Sequence, residues 1–240
     1  MLFYVLSIFS IAIIRLTTAR ESEFSVLTCK RGSVDYDACL KQTLETTWPL
    51  IVKAGLAELD LPSLDPLYYK DGKIELNTDT IHAKVIILNF TCFGLLKTHF
   101  IDLKTHFLPN NVLRLEIDVQ VPKIFVEGII KINGTLNVFT VAGEGYMNAT
   151  MSDIKGACDL IGHIINNTLL VEHFRFTPTF GTLKVYFNLF QNDRKLNDLA
   201  LMFINEYWPT LYREIWPIMS DMLDPWLSDF ANKFFSKILF

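Results

Sequence analysis

Beyond its first 14 residues, no run in this 240-residue chain approaches the roughly 18 uninterrupted apolar residues of a membrane-spanning helix. The remainder is read as soluble, without stable membrane insertion. Its 22 basic and 26 acidic residues form no Lys/Arg block, so a nucleic-acid partner has no electrostatic footprint. The motifs of common enzymes are missing as well: there is no GxSxG elbow, no HExxH and no glycine loop for phosphates. Gly143-Glu144-Gly145 lacks the surroundings of such a loop and reads as a turn or bulge. The five histidines, at 82, 99, 106, 163 and 173, never reach i,i+4 spacing, and no two cysteines form CxxC. The reading is therefore of a non-enzyme with no metal and no cofactor. A secreted lipid hydrolase stays as the weaker alternative.

What is present points outward from the cell. Residues 1–14 form an apolar run the length of a signal-peptide core, with Thr17 and Ala19 placed for a peptidase. Cleavage after Ala19 is expected, leaving residues 20–240 as a single domain; an uncleaved anchor is the competing reading. Four N-x-[ST] sequons, at Asn89, Asn133, Asn148 and Asn166, fit a secreted, extracellular glycoprotein. Of the four cysteines, Cys29 and Cys39 lie ten residues apart in the N-terminal segment, and a bridge between them is expected. Closing that loop stabilises by roughly 2.5–3 kcal/mol on the chain-entropy model. Cys92 and Cys158 fit a second bridge or two buried thiols equally well.

Periodicity divides the chain in three. Leu40, Leu44, Trp48 and Ile51 share one helical face within residues 35–53, with Pro49 predicting a kink or an end near Thr47 and Gly55 closing the segment. From about 73 to 190 the period is two. Leu113, Leu115, Ile117, Val119 and Val121 alternate with Arg114, Glu116, Asp118 and Gln120, which describes a strand with one dry face. The sets 81/83/85/87, 101/103/105/107, 130/132/134/136/138 and 183/185/187/189 repeat the pattern. Turns are expected at Pro109-Asn110-Asn111, at Gly143-Glu144-Gly145 and at Asn166-Asn167. Asn133 falls on the wet phase, whereas Asn89 continues a dry phase and needs a bulge or a strand end.

The final third is helical again. Leu199, Phe203, Tyr207, Leu211, Ile215, Met219 and Met222 form one stripe, with kinks expected at Pro209 and Pro217 and a second helix starting at Asp224-Pro225. The fold class that follows is α+β: one antiparallel sheet with its dry side on a long C-terminal helix. Between the first helix and the sheet, GLAELDLPSLDPL at residues 55–67 is too apolar for a solvated linker and too rich in proline for a helix. It closes one end of the structure as a gate, or it is a packed connector.

At this point the residues resemble the takeout and haemolymph juvenile hormone-binding protein family of insects. The resemblance rests on Cys29 and Cys39 with Asp37 and Leu40, and on Gly55, Glu58 and Pro62-Ser63-Leu64-Asp65-Pro66-Leu67. It continues through Gly143, Gly145-Tyr146, Phe187-Asn188-Leu189-Phe190, Leu196 and Ile204-Asn205-Glu206-Tyr207-Trp208. Asp60 departs from it, standing where many relatives have glycine. The resemblance implies a tubular, TULIP-like lipid-binding fold, in which a strongly curved antiparallel sheet wraps the C-terminal helix. It also implies secretion into haemolymph or another extracellular fluid, carriage of a small lipophilic ligand, and a circadian or feeding-related setting. On that geometry the expected tunnel lining is Val85, Leu115, Ile117, Leu136, Val138, Phe203, Tyr207, Leu211, Ile215 and Met219. An extracellular signalling or interaction module without cargo is the alternative.

Overall fold

The computed structural model describes residues 29–55, 61–77, 79, 81–136, 139–190 and 193–236. Helix α1 runs from Tyr36 to Ala54. Leu40, Leu44 and Ile51 are buried along its predicted face and Trp48 is half-buried. The end expected near Thr47 does not occur: the helix runs on past Pro49 to Ala54. Pro49 lies on the exposed side, where the carbonyl left without a partner can be hydrated. The end comes instead at Gly55, whose φ of 68° suits glycine and whose N–H reaches the Ile51 carbonyl at 2.8 Å. The Cys29–Cys39 disulfide fastens the segment before α1 to the helix. Asp37 then ties α1 to the sheet, its Oδ1 accepting from the Thr105 N–H at 3.2 Å and the Thr105 hydroxyl at 2.5 Å.

Seven antiparallel strands follow: β1 Leu67–Asn77, β2 Ile81–Phe93, β3 His99–Phe107, β4 Val112–Leu136, β5 Phe139–Ile165, β6 Thr168–Thr179 and β7 Thr182–Phe187. β4 and β5, of 25 and 27 residues, pair in one register over their full length. Along the free edge of β4, β3 and then β2 pair end to end, with β1 outside β2. Along the free edge of β5, β6 and then β7 do the same.

Three local readings change. Gly143-Glu144-Gly145 is not a turn but lies inside β5. Glycine is required at 145 because a Cβ there would collide with the Asn188 carbonyl. Ile101 is not on the dry face: the register with β4 shifts between Phe100 and Asp102, turning Ile101 to solvent and Phe100 inward. Asn89 sits in a bulge of β2, with φ 50°. The turns at Asn110-Asn111 and Asn166-Asn167 form as expected, all four residues having positive φ.

On β4, Leu113 through Val121 are buried at every second residue, as the alternation demands. The buried phase then moves to Ile124 and Val126, past Pro122, and on β5 from Ile154 to Ala149, past Asp153 with φ 52°. One apolar cluster containing Val121, Ile124, Val126, Ala149 and Ile154 continues across this break.

The last element is one helix, α2, from Arg194 to Phe235, rather than two. Pro209, Pro217 and Pro225 lie inside it, all on its exposed side. Asp193 caps its start, accepting from the Leu196 N–H at 2.9 Å. α2 follows the outer edge of β6 and β7, running antiparallel to them. From Asn197 to Asn232 it covers about 52 Å at 1.5 Å per residue, while the edge from Phe187 back to Val171 covers about 53 Å at 3.3 Å per residue. The lengths match, and side chains of α2 satisfy the edge along the way. Asn197 donates to the Phe187 carbonyl at 3.0 Å and accepts from the Leu189 N–H at 3.1 Å. Asn205 serves both groups of Val185, the Tyr212 hydroxyl donates to the Pro178 carbonyl, Asp224 accepts from the Phe174 N–H, and Asn232 serves both groups of Val171.

Candidate functional site: an apolar cavity beneath α1

At the end of the sheet where α1 crosses β3, the last turns of α2 close over the same face. Between them lies a cavity of about 210 Å³. α1 supplies Leu44 and Trp48, β3 supplies Phe100, and β4 supplies Ile117, Val119 and Val121. β5 adds Cys158 and Leu160, β6 adds Phe174 and Phe176, and α2 adds Trp226, Phe230 and Phe234. The strand contributors are alternate residues, so each strand turns one dry face to the same space. Trp48 is fixed from two sides: its indole N–H donates to the Leu95 carbonyl at 2.9 Å, and its ring meets Phe100 edge-on at 5.7 Å.

The lining offers almost nothing polar. The Thr98 hydroxyl already donates to the Leu95 carbonyl at 2.7 Å. Burial, with the Asp118 charge nearby, pushes the Cys158 thiol up to about 12, so it stays neutral. Cys92 and Cys158 are both free. Of the two readings for this pair, two unbridged thiols hold, Cys92 buried and Cys158 half-buried in the cavity wall, and burial raises Cys92 to about 11.

The entrance is where polarity appears. A smaller pocket of about 120 Å³ shares Leu64, Leu67, Trp226 and Phe230 with the cavity and adds Tyr68, Tyr69, Asp229 and Lys233. One wall of this mouth is the strap at residues 61–67. Its anchors are specific: the Leu64 N–H donates to the Val52 carbonyl at 2.9 Å, and the Asp65 carboxylate accepts from the N–H groups of Gly94 and Leu96 at 3.0 and 2.8 Å. Its own Leu61 and Leu64 are buried.

Among the residues expected to line a tunnel, Ile117 does line the cavity. Leu115 lies deeper, in the packed core, and Val85 is buried on β2 away from this space. Phe203 and Tyr207 face solvent, 48% and 54% exposed, with their rings 5.1 Å apart. Leu211, Ile215 and Met219 are half-buried and outside the cavity wall. Leu136 is on β4 with its side chain outside the described residues, as are Val138, residues 56–60 and the expected signal peptide with its cleavage site. The seam of α2 on the sheet is therefore not the Phe203 stripe. It runs through Asn197, Asn205, Tyr212, Asp224 and Asn232, whose polarity disguised it.

Phe174 and Phe176 were also missed, although their alternation with His173, Arg175 and Thr177 carries the same period-two signal as the other strands. Among the described residues no group of three or more His, Cys, Asp or Glu is placed to hold a metal ion.

The sequence model of the family described as haemolymph juvenile hormone binding protein matches residues 5–240. No curated protein gives a significant match in sequence. The crystal structure of Epiphyas postvittana Takeout 1 superposes with a TM-score of 0.68 at 19% identity, covering 89% of this chain and 97% of that one. The chain thus has the fold of that protein. Lipopolysaccharide binding protein gives a TM-score of 0.25 at 12% identity, over 77% of this chain and 37% of that one, too low for a shared fold to follow.

Proposed function

Because this chain belongs to the haemolymph juvenile hormone binding protein family, we propose that it is a secreted, non-catalytic carrier whose cargo is a small lipophilic molecule held in the cavity beneath α1. The observation that carries this reading is the cavity itself, about 210 Å³ of space walled by aliphatic and aromatic side chains. A protein cavity of about 150 Å³ with such walls stays dry and takes up benzene. Each methylene entering the space contributes about 0.8 kcal/mol. A carboxyl, ester or hydroxyl group would find no free partner inside and would stay at the mouth, near Tyr69, the Lys233–Asp229 ion pair and Tyr68, whose hydroxyl already donates to Asn89. A juvenile hormone-like terpenoid, a fatty acid or a compound of similar shape satisfies both requirements.

The test is organic extraction of the secreted protein, followed by displacement of a fluorescent lipid from the delipidated protein by alcohols of increasing chain length. Affinity should rise with each added methylene and level off when the space is full. An interaction module without cargo would yield no lipid near unit stoichiometry and no dependence on chain length.

A further inference from the structure

We propose that Asn148 is a glycan attachment site built to hold its first sugar, with Tyr146 and Tyr186 as the platform. Asn148 lies in β5 within the sequon Asn148-Ala149-Thr150. Its neighbours Met147 and Ala149 turn to the apolar cluster, so Asn148 points to the opposite, solvent side of the sheet. Tyr146, two residues earlier, shares that side. Tyr186 is the residue paired with Asn148 across the β5–β7 ladder, and Glu127 is its pair across β4. Asn148 is thus enclosed on the surface by two tyrosines and a carboxylate.

The tyrosines are 42% and 50% exposed, large rings lying on the wet side of a sheet. Tyr146 is already oriented: its hydroxyl donates to Glu127 Oε2 at 2.7 Å, and the Asn148 amide reaches that hydroxyl at 3.5 Å. The weakly positive C–H face of a pyranose attached to the Asn148 nitrogen can cover such a ring, whose face is negative. Burying part of two aromatic rings then returns stability to the long β4–β5–β7 region.

Of the other two strand sequons, Asn89, in the bulge of β2, has a single exposed tyrosine beside it, Tyr68, whose hydroxyl donates to its Oδ1 at 2.9 Å, and Asn133 has none. Asn133 has Lys131 two residues before it and Lys84 and Ala142 across the ladders. Asn166 is in a hairpin turn with φ 51°. Glycans at those two positions would stand in water.

This inference rests on export of the chain and not on cargo. The full chain is expressed in a secreting cell line held to high-mannose glycans, and glycopeptides are mapped by mass spectrometry. Asn148 should be occupied. Trimming the native glycoprotein with an endoglycosidase that leaves one N-acetylglucosamine should not change its Tm. Removing the sequon by Asn148→Gln or, keeping the asparagine, by Thr150→Ala should lower the Tm by about 2–4 °C. In the Tyr146→Ala, Tyr186→Ala background the same removal should have no effect, and Asn133→Gln should be neutral in either background. An unoccupied Asn148, a chain that is not secreted, a Tm that falls on trimming to one sugar, or a sequon loss that is neutral with Tyr146 in place would each overturn the proposal. If both sequon variants fail to fold, the trimming result and the glycopeptide map still decide it.

Discussion

Asn205 of α2 and Val185 of β7 are joined by two hydrogen bonds, the side-chain amide donating to the Val185 carbonyl and its oxygen accepting from the Val185 N–H, both at 2.8 Å. A neighbouring strand would do the same. Asn232 repeats the arrangement with Val171, at 2.6 and 2.9 Å. Through such side chains α2 occupies the place of an eighth strand and covers an edge that would otherwise be open to other chains. The C-terminal pair is the more protected from water, the Asn205 pair the more exposed. Asn232→Leu should therefore destabilise by about 1–3 kcal/mol, because two backbone groups of Val171 lose their partner where solvent cannot replace it. Asn205→Leu should cost less. Urea unfolding of both variants, with amide exchange at Val171 and Val185, measures the difference; equal costs would contradict the role given to burial.

The thiol of Cys158 sits in the cavity wall with its titration pushed up to about 12 from an ordinary value near 9. Alkylation in the native protein should be slow at pH 8 and fast once the chain is unfolded, since only the thiolate reacts. Cys92, raised to about 11, should behave likewise. The sign for stability follows from proton counting: above about pH 9 the unfolded chain loses these protons while the folded chain keeps them. The contribution is whole below that pH and is lost as the pH climbs towards the folded values. Filling the cavity with a lipid should slow Cys158 further and leave Cys92 unchanged, which iodoacetamide labelling followed by peptide mapping resolves.

Asp65 bears on exchange rather than on affinity. Its carboxylate is the acceptor for the Gly94 and Leu96 N–H groups and so fastens the strap at the mouth to the turn after β2. Asp65→Ala should speed both uptake and release of a fluorescent lipid while changing the equilibrium constant much less, because the lining residues are untouched. Stopped-flow traces identical to the wild type would show that the strap is a fixed wall.

Much of the architecture could be read directly from residue order. The alternation from Leu113 to Val121 identified a buried strand face, and the spacing of Leu40, Leu44 and Ile51 identified the face of α1, because burial acts on those residues through a single regular period. Where a position was set by contacts distant in sequence, local pattern misled. Asp224-Pro225 suggested the start of a second helix, yet α2 runs on through it, and all three of its prolines lie on the exposed side, where the freed carbonyl can be hydrated. The Phe203–Tyr207 stripe suggested an inward face, but the sheet edge selects asparagine, tyrosine and aspartate for their hydrogen bonds, and these carry no hydrophobic signature. The cavity draws on α1, the strap, five strands and the end of α2, so only folding brings Trp48 to Phe100 and Phe230. Ile117 was identified because it belongs to the most regular strand.

That contrast yields a paired experiment on the site. Ile117 faces the cavity, whereas Leu211 is half-buried on α2 and outside its wall. A tryptophan at 117 has about 210 Å³ of space to enter, so Ile117→Trp should fold with a Tm near that of the wild type and lose uptake of the fluorescent lipid. A tryptophan at 211 has no such space on its inner side and solvent on its outer side. Leu211→Trp should keep uptake within about twofold, a change of roughly 0.4 kcal/mol, and any cost should appear in stability, about 1–3 kcal/mol if the ring is forced inward. Thermal melting and lipid displacement on the two variants separate the outcomes. If Leu211→Trp abolishes uptake while Ile117→Trp leaves it intact, the cargo lies along α2 beside the exposed stripe and the cavity beneath α1 is not its site.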